Sequence, residues 1–113
     1  MMVASENRIK GSNRIEFVKA NGKLIQSENF GVRALKQNSE GPPRFAVVIS
    51  KKISKLAVHR NRINRAINEV LRHNIKNVPA SYDYVFLAKR SIAEKSTDLV
   101  IKEVVKFISD LKL

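Results

Sequence analysis

Eighteen residues in the middle of the chain, AVHRNRINRAINEVLRHN from Ala57 to Asn74, constrain the fold most strongly. At roughly 100° per residue, Ile63, Ala66, Ile67, Val70 and Leu71 fall on one arc of a helix, and that arc has to pack on something apolar. A partner surface lies on each side in the sequence. Before the stretch comes RFAVVIS (Arg44–Ser50) and after it DYVFLAK (Asp83–Lys89), both rich in β-branched and aromatic residues and both of buried-strand length. A helix whose underside faces a sheet built from the flanking strands is the simplest arrangement, a layered mixture of helix and sheet.

The remaining elements fit around this unit. A short helix is expected from about Ser12 to Ala20, with Ser12 as its cap and Ile15 and Val18 on one face. Asn21-Gly22 reads as a stop and a turn. Strands are expected at Lys23–Gln26 and at Phe30–Lys36, the second with Phe30, Val32 and Ala34 on one side. Residues 38–43 collect loop formers. A final helix is expected over about Ser96–Leu111, capped by Ser96 or Thr97, with Leu99, Val100, Val104, Phe107, Ile108 and Leu111 as its apolar stripe. The polar start, residues 1–11, reads as a loose, flexible arm. The whole is one α/β domain, an α+β sandwich spanning residues 1–113.

Charge then narrows the partner. The chain has 22 Lys and Arg against 10 Asp and Glu, a net +12. Such self-repulsion points to a polyanion, and nucleic acid is the leading candidate. The absence of cysteine excludes disulfides and thiolate metal sites. No stretch has the length of a membrane span and the start has no secretory pattern, so a cytoplasmic location without membrane attachment is expected.

Much of the charge lies beside the central helix. Opposite its apolar arc stand Asn61, Asn64, Arg65, Asn68 and Arg72, with Arg62 and Glu69 at the edge and Arg60 flanking the stripe. With Lys51, Lys52 and Lys55, seven basic residues lie between positions 51 and 72 against one acid, Glu69. One carboxylate can neutralise at most one neighbour, and cations at a helix amino end oppose its dipole. Residues that work against local stability usually serve a partner. Arginine grips phosphate through a planar fork, and asparagine can bond sugar or base edges. A solvated basic face with no partner is the alternative.

A protein nuclease would need clustered carboxylates or a histidine pair. The acids are scattered; Glu94 and Asp98 are helix-spaced but suit a helix start, and His59 and His73 are too far apart on one helix to share a site. No catalytic residue and no metal site is expected in the protein itself.

RFAVVISKK (Arg44–Lys52) followed by AVHRNRINRAINEVLR (Ala57–Arg72) resembles the bacterial ribonuclease P protein family, which pairs S-K-K at a strand end with a helix bearing R-N-R. YVFLAKR (Tyr84–Arg90) and NGKLIQSENFGVRAL (Asn21–Leu35) are similar to further strands of that family. The resemblance implies the order α-β-β-β-α-β-α around a central sheet, with a left-handed crossover through the basic helix. It implies the protein component of a ribonucleoprotein endoribonuclease that removes 5′ leaders from precursor tRNA. Its partners would be ribonuclease P RNA and precursor tRNA, and the RNA subunit would hold Mg and perform the hydrolysis. Carried over by position, Lys51, Lys52, Arg60, Asn61, Arg62, Arg65, Asn68 and Arg72 would meet the RNA subunit, and Phe17, Arg33, Lys89 and Arg90 the leader. Three features depart from the family pattern: Asn64 and Asn68 stand where Lys and Arg are usual, the loop ISKL (53–56) lacks glycine, and Phe17 alone remains of two expected phenylalanines. A structural RNA-binding protein of ribosomal type would share the size and charge, and a stand-alone nuclease is a further rival.

Overall fold

The computed structural model describes residues 2–113. Three helices, α1 (Ser12–Asn21), α2 (Ala57–His73) and α3 (Thr97–Asp110), surround one sheet of β1 (Lys23–Gln26), β2 (Phe30–Lys36), β3 (Arg44–Val48) and β4 (Tyr82–Ala88). The strand order is β1-β2-β4-β3. β2 runs antiparallel to both β1 and β4. β3 runs parallel to β4, and the chain connects these two neighbours through α2. The element order is therefore the expected one, and each strand starts within a residue of its expected position.

Side-chain alternation divides the sheet into two faces. On one face Phe30, Val32, Ala34, Phe45, Tyr84 and Phe86 meet the apolar sides of α2 and α3 in the main core. Aromatic contacts fill its centre: Phe107 of α3 packs edge-on against Phe30 and Phe86, with ring centroids 5.4 and 5.9 Å apart. On the other face Val85, Ala46, Val48, Leu35 and Leu87 form a smaller cluster with Val18 and Ile15 of α1 and with Ile9.

Four expectations meet the structure, and three of them are corrected. The amino-terminal segment is not loose. Val3 is buried in the main core, the side-chain amide of Asn7 donates to the Pro43 carbonyl at 2.9 Å, and the Ile9 N–H donates to the Phe45 carbonyl at 3.0 Å. The segment thus lies along β3, with Arg8 bridged to Phe45, and supplies partners that the free edge of β3 would otherwise lack. Met1 is outside the described residues. Second, Ser12 does not cap α1. It is the first helical residue, and Gly11 takes the cap position with φ 88°, a conformation glycine adopts without penalty. Third, Gly22 ends α1 as expected, in extended backbone. Its role is close approach, since a Cβ there would meet the Val18 carbonyl oxygen at 2.7 Å and the Ala34 nitrogen at 3.1 Å. Fourth, Leu99 leaves the apolar stripe of α3 and is 53% exposed, while Ile101 packs against the core. The Ser96 cap holds: its hydroxyl accepts from the Leu99 N–H at 3.3 Å.

A buried carboxylate fastens α1 to the sheet. Asp83 has no exposed surface. Its Oδ2 accepts from Arg14 Nε of α1 at 2.7 Å, and Arg44 of β3 grips both oxygens at 2.7 and 2.8 Å. Gln37 donates to Oδ1 at 3.1 Å. The hydrogen bonds from Arg44 to Asp83 raise the pKa of that guanidinium above its ordinary value. A buried charge paired twice and hydrogen-bonded throughout meets the conditions under which burial is tolerated.

Candidate nucleic-acid interface

The basic flank is presented by α2, whose other side is anchored. Ile63, Ala66, Ile67, Val70 and Leu71 are buried, as the apolar arc requires. This fixes the direction of every polar residue on the helix. Asn61 and Arg65 point outward and are exposed, and Lys51 and Lys52, in the turn before the helix, are exposed as well.

The other arginines of α2 are steadied by protein groups. Arg60 is half-buried and its Nη1 donates to the Ser54 carbonyl at 2.6 Å, holding the loop to the first turn of α2. Arg62 Nη1 donates to Thr97 Oγ1 at the start of α3, 3.1 Å away. Arg72 donates to Glu69 Oε1 at 2.7 Å, and His73 Nε2 lies 2.9 Å from the same oxygen. Those bonds, from Arg72 first and His73 second, hold the Glu69 carboxyl below its ordinary pKa. Glu69 thus engages two neighbours where the sequence allowed it one.

Asn68 does not belong to the exposed flank. It is 2% exposed, and its amide nitrogen donates to the Asn64 carbonyl at 2.9 Å and to Asn64 Oδ1 at 2.5 Å. The buried arc of α2 is wider than its apolar residues imply. The amino-terminal segment comes up along this flank, where Met2 borders a hollow with Asn61, Asn64 and Arg65. Asn68 is therefore removed from the set of groups that can touch a partner.

The four residues expected at the leader are divided. Phe17 stands on α1 with 54% of its surface exposed, and the Arg14 guanidinium lies 5.7 Å from its ring centroid. Arg33 sits on the α1 side of the sheet, opposite Leu24 of β1 and Val85 of β4, and donates to the Gly22 carbonyl at 3.1 Å. Phe17 stands midway along α1, and Arg33 reaches the residue that follows its last turn. Lys89 instead sends its ammonium to the Ser27 carbonyl, 2.7 Å away. It lies beside Glu103 of α3, which accepts from Ser27 Oγ, the Asn29 N–H and the Asn29 side chain at 2.5, 2.8 and 2.7 Å. Burial raises the Glu103 pKa, but those three hydrogen bonds and the Lys89 charge outweigh it and leave the group below its ordinary value. Arg90 is exposed at the start of the turn that follows.

Sequence reasoning missed Arg14, Asp83 and Thr97, which hold these surfaces in place. Arg14 and Asp83 are 69 residues apart, and no local pattern connects them.

The arrangement defines a class: a small basic α+β protein that displays guanidinium, amide and ammonium groups along a helix locked onto its own core, as a polyanion-binding surface requires. The comparisons with known proteins narrow this. The sequence model of the Ribonuclease P family matches residues 3–112, and the chain belongs to that family. A ribonuclease P protein component from Cyanothece sp. is 31% identical over 83 residues, 74% of this chain and 63% of that relative. One from Idiomarina loihiensis is 47% identical over 58 residues, 51% of this chain and 46% of that relative. The matches thus span about half to two thirds of these relatives' length. Among solved structures, the ribonuclease P protein from Thermotoga maritima superposes with a TM-score of 0.80 at 20% identity, covering 93% of this chain and 97% of that one. That likeness establishes the fold. No described helix is long and apolar enough to cross a membrane.

Proposed function

We propose that this chain is the protein subunit of a cytoplasmic ribonucleoprotein that removes 5′ leaders from precursor tRNA, with ribonuclease P RNA as its partner. The observation that carries the reading is the outward-facing set Lys51, Lys52, Asn61 and Arg65 on and beside a helix whose opposite side is buried, in a member of this family. Groups held this way lose little freedom on binding, so more of each charged hydrogen bond remains as affinity. Arg60 and Arg62, already oriented by Ser54 and Thr97, keep further N–H groups for phosphate. Arg72 contributes charge beside Glu69.

On the opposite face of the sheet, Phe17 of α1 and Arg33 of β2 suit a single-stranded leader: an aromatic ring for a base to stack on and a cation for the backbone. Arg90 adds charge from the end of β4. Lys89 donates one N–H to the Ser27 carbonyl and keeps others for the leader.

In this reading the RNA performs the phosphodiester hydrolysis and binds the magnesium. Among the described residues no three His, Cys, Asp or Glu side chains gather where they could hold a metal ion, and no step is assigned to the protein's own residues. The protein binds the two RNAs, orients the leader and screens their mutual repulsion.

Reconstitution tests this. Adding the protein to ribonuclease P RNA from the same organism should accelerate precursor cleavage at low magnesium, where RNA–RNA repulsion is least screened. No acceleration, together with tight binding to ribosomal RNA, would overturn the assignment in favour of a structural RNA-binding protein. Cleavage by the protein alone would overturn it in favour of a nuclease.

A further inference from the structure

A groove of about 690 Å³ runs between α2 and the amino end of α3, directly beside Arg62 and Arg65. Hollows of this size accept small organic groups. Its floor is apolar: Ala66 is buried, Ile101 packs against the main core, and Val58 lies at the α2 end with 67% of its surface exposed. Its walls are polar. Asn61, Arg62 and Arg65 line the α2 side and Thr97 the α3 side, with Arg62 fixed across the gap by its bond to Thr97. Glu69 stands two helical turns beyond Arg62.

These features have to be satisfied together. A phosphate would meet the arginines but gain nothing from Val58 and Ile101, and the Glu69 carboxylate would repel it. An apolar protein segment would cover the floor but strip water from two guanidinium groups without pairing them, a costly desolvation. A nucleobase matches both parts. Its flat faces are apolar enough for the aliphatic floor and can stack on a guanidinium plane. Its edges carry the donors and acceptors that amide, guanidinium and carboxylate side chains bond. Proteins that read RNA by sequence do so mostly through bases splayed out of loops and bulges into such hollows.

Resting on the RNA-binding reading above, we propose that this groove seats one unstacked nucleobase of the RNA subunit, held against Val58, Ala66 and Ile101 while Asn61 and Arg65 bond its edge and backbone. The site lies on the same helix as the phosphate contacts but binds through different chemistry. Phosphate contacts set affinity and its salt dependence; the seated base fixes the register of the RNA along α2.

That difference supplies the test. Affinity for ribonuclease P RNA is measured across a salt series for the wild type, Val58→Ser, and Val58→Ser combined with Ile101→Ser. Val58 is exposed enough that its replacement leaves the fold intact, and thermal melting controls for Ile101. Removing apolar contacts should lower affinity roughly threefold for the single variant and about tenfold for the double, with the slope of log affinity against log salt unchanged. In chemical probing with dimethyl sulfate, one unpaired base protected by the wild type should become reactive with the double variant. Unchanged affinity and an unchanged probing pattern would overturn the base site, as would a loss of affinity accompanied by a shallower slope. A wild-type affinity that ignores salt would instead overturn the RNA-binding reading on which the proposal rests.

Discussion

Arg65 differs from the arginines around it. Arg60, Arg62 and Arg72 are tied to Ser54, Thr97 and Glu69, whereas Arg65 stands exposed in the middle of the flank. Arg65→Ala should therefore weaken binding to the RNA subunit by roughly 1.5–3 kcal/mol, the range for a hydrogen bond to a charged group, and leave the melting temperature within a degree or two. Filter binding and a thermal melt check the two halves; unchanged affinity would remove Arg65 from the interface. Glu103 makes the opposite kind of prediction, about stability rather than binding. Its carboxylate accepts three hydrogen bonds, and its folded pKa lies below the ordinary 4.5. The stability it contributes is then fully present above the unfolded value and is lost as pH falls through the folded one. Glu103→Gln should cost about 1–2 kcal/mol at neutral pH, and the gap to wild type should narrow below about pH 4.5 in denaturant unfolding. A gap that is constant with pH would contradict that role for the charge.

At the scale of elements, legibility in the sequence followed periodicity. α2 was readable because its apolar residues repeat at helical spacing, and β2 because Phe30, Val32 and Ala34 alternate; both are buried as expected. The basic flank was readable for the same reason, since fixing the buried arc fixes its opposite. What failed was whatever depends on a neighbour distant in sequence. Asn68 stands among the polar residues on the helical wheel, but it is buried and bonded to Asn64 one turn earlier. The amino-terminal segment looked loose because only Val3 and Ile9 of its three buried residues are apolar, six positions apart with the polar Asn7 between them. The bond from Lys89 to the Ser27 carbonyl, 62 residues away, was likewise illegible. Gly22 was legible as a stop but not for its reason, which is the approach of α1 to β2. Gly22→Ala should shift that junction, because all three obstructing atoms, on Val18 and Ala34, are backbone, at a cost of about 1–3 kcal/mol. A smaller penalty than a typical surface substitution, measured by denaturant unfolding, would show that the junction can relax.

Over the whole molecule, the acids that pair with arginine do so within the fold: Asp83 between Arg14 and Arg44, and Glu69 beside Arg72. All ten carboxylates together still leave the 22 lysines and arginines with a net charge of +12. A buried sheet with helices on both faces holds that excess in place, and the field it creates speeds encounter with a polyanion. The central claim is that cationic groups on and before α2, fixed by the helix's packed underside, grip RNA through its phosphates. Its most direct test is the equilibrium affinity of the protein for ribonuclease P RNA between low and moderate salt. If about five phosphates are neutralised, log affinity should fall against log salt with a slope near −3.5 to −4.5. A flat response would contradict the account.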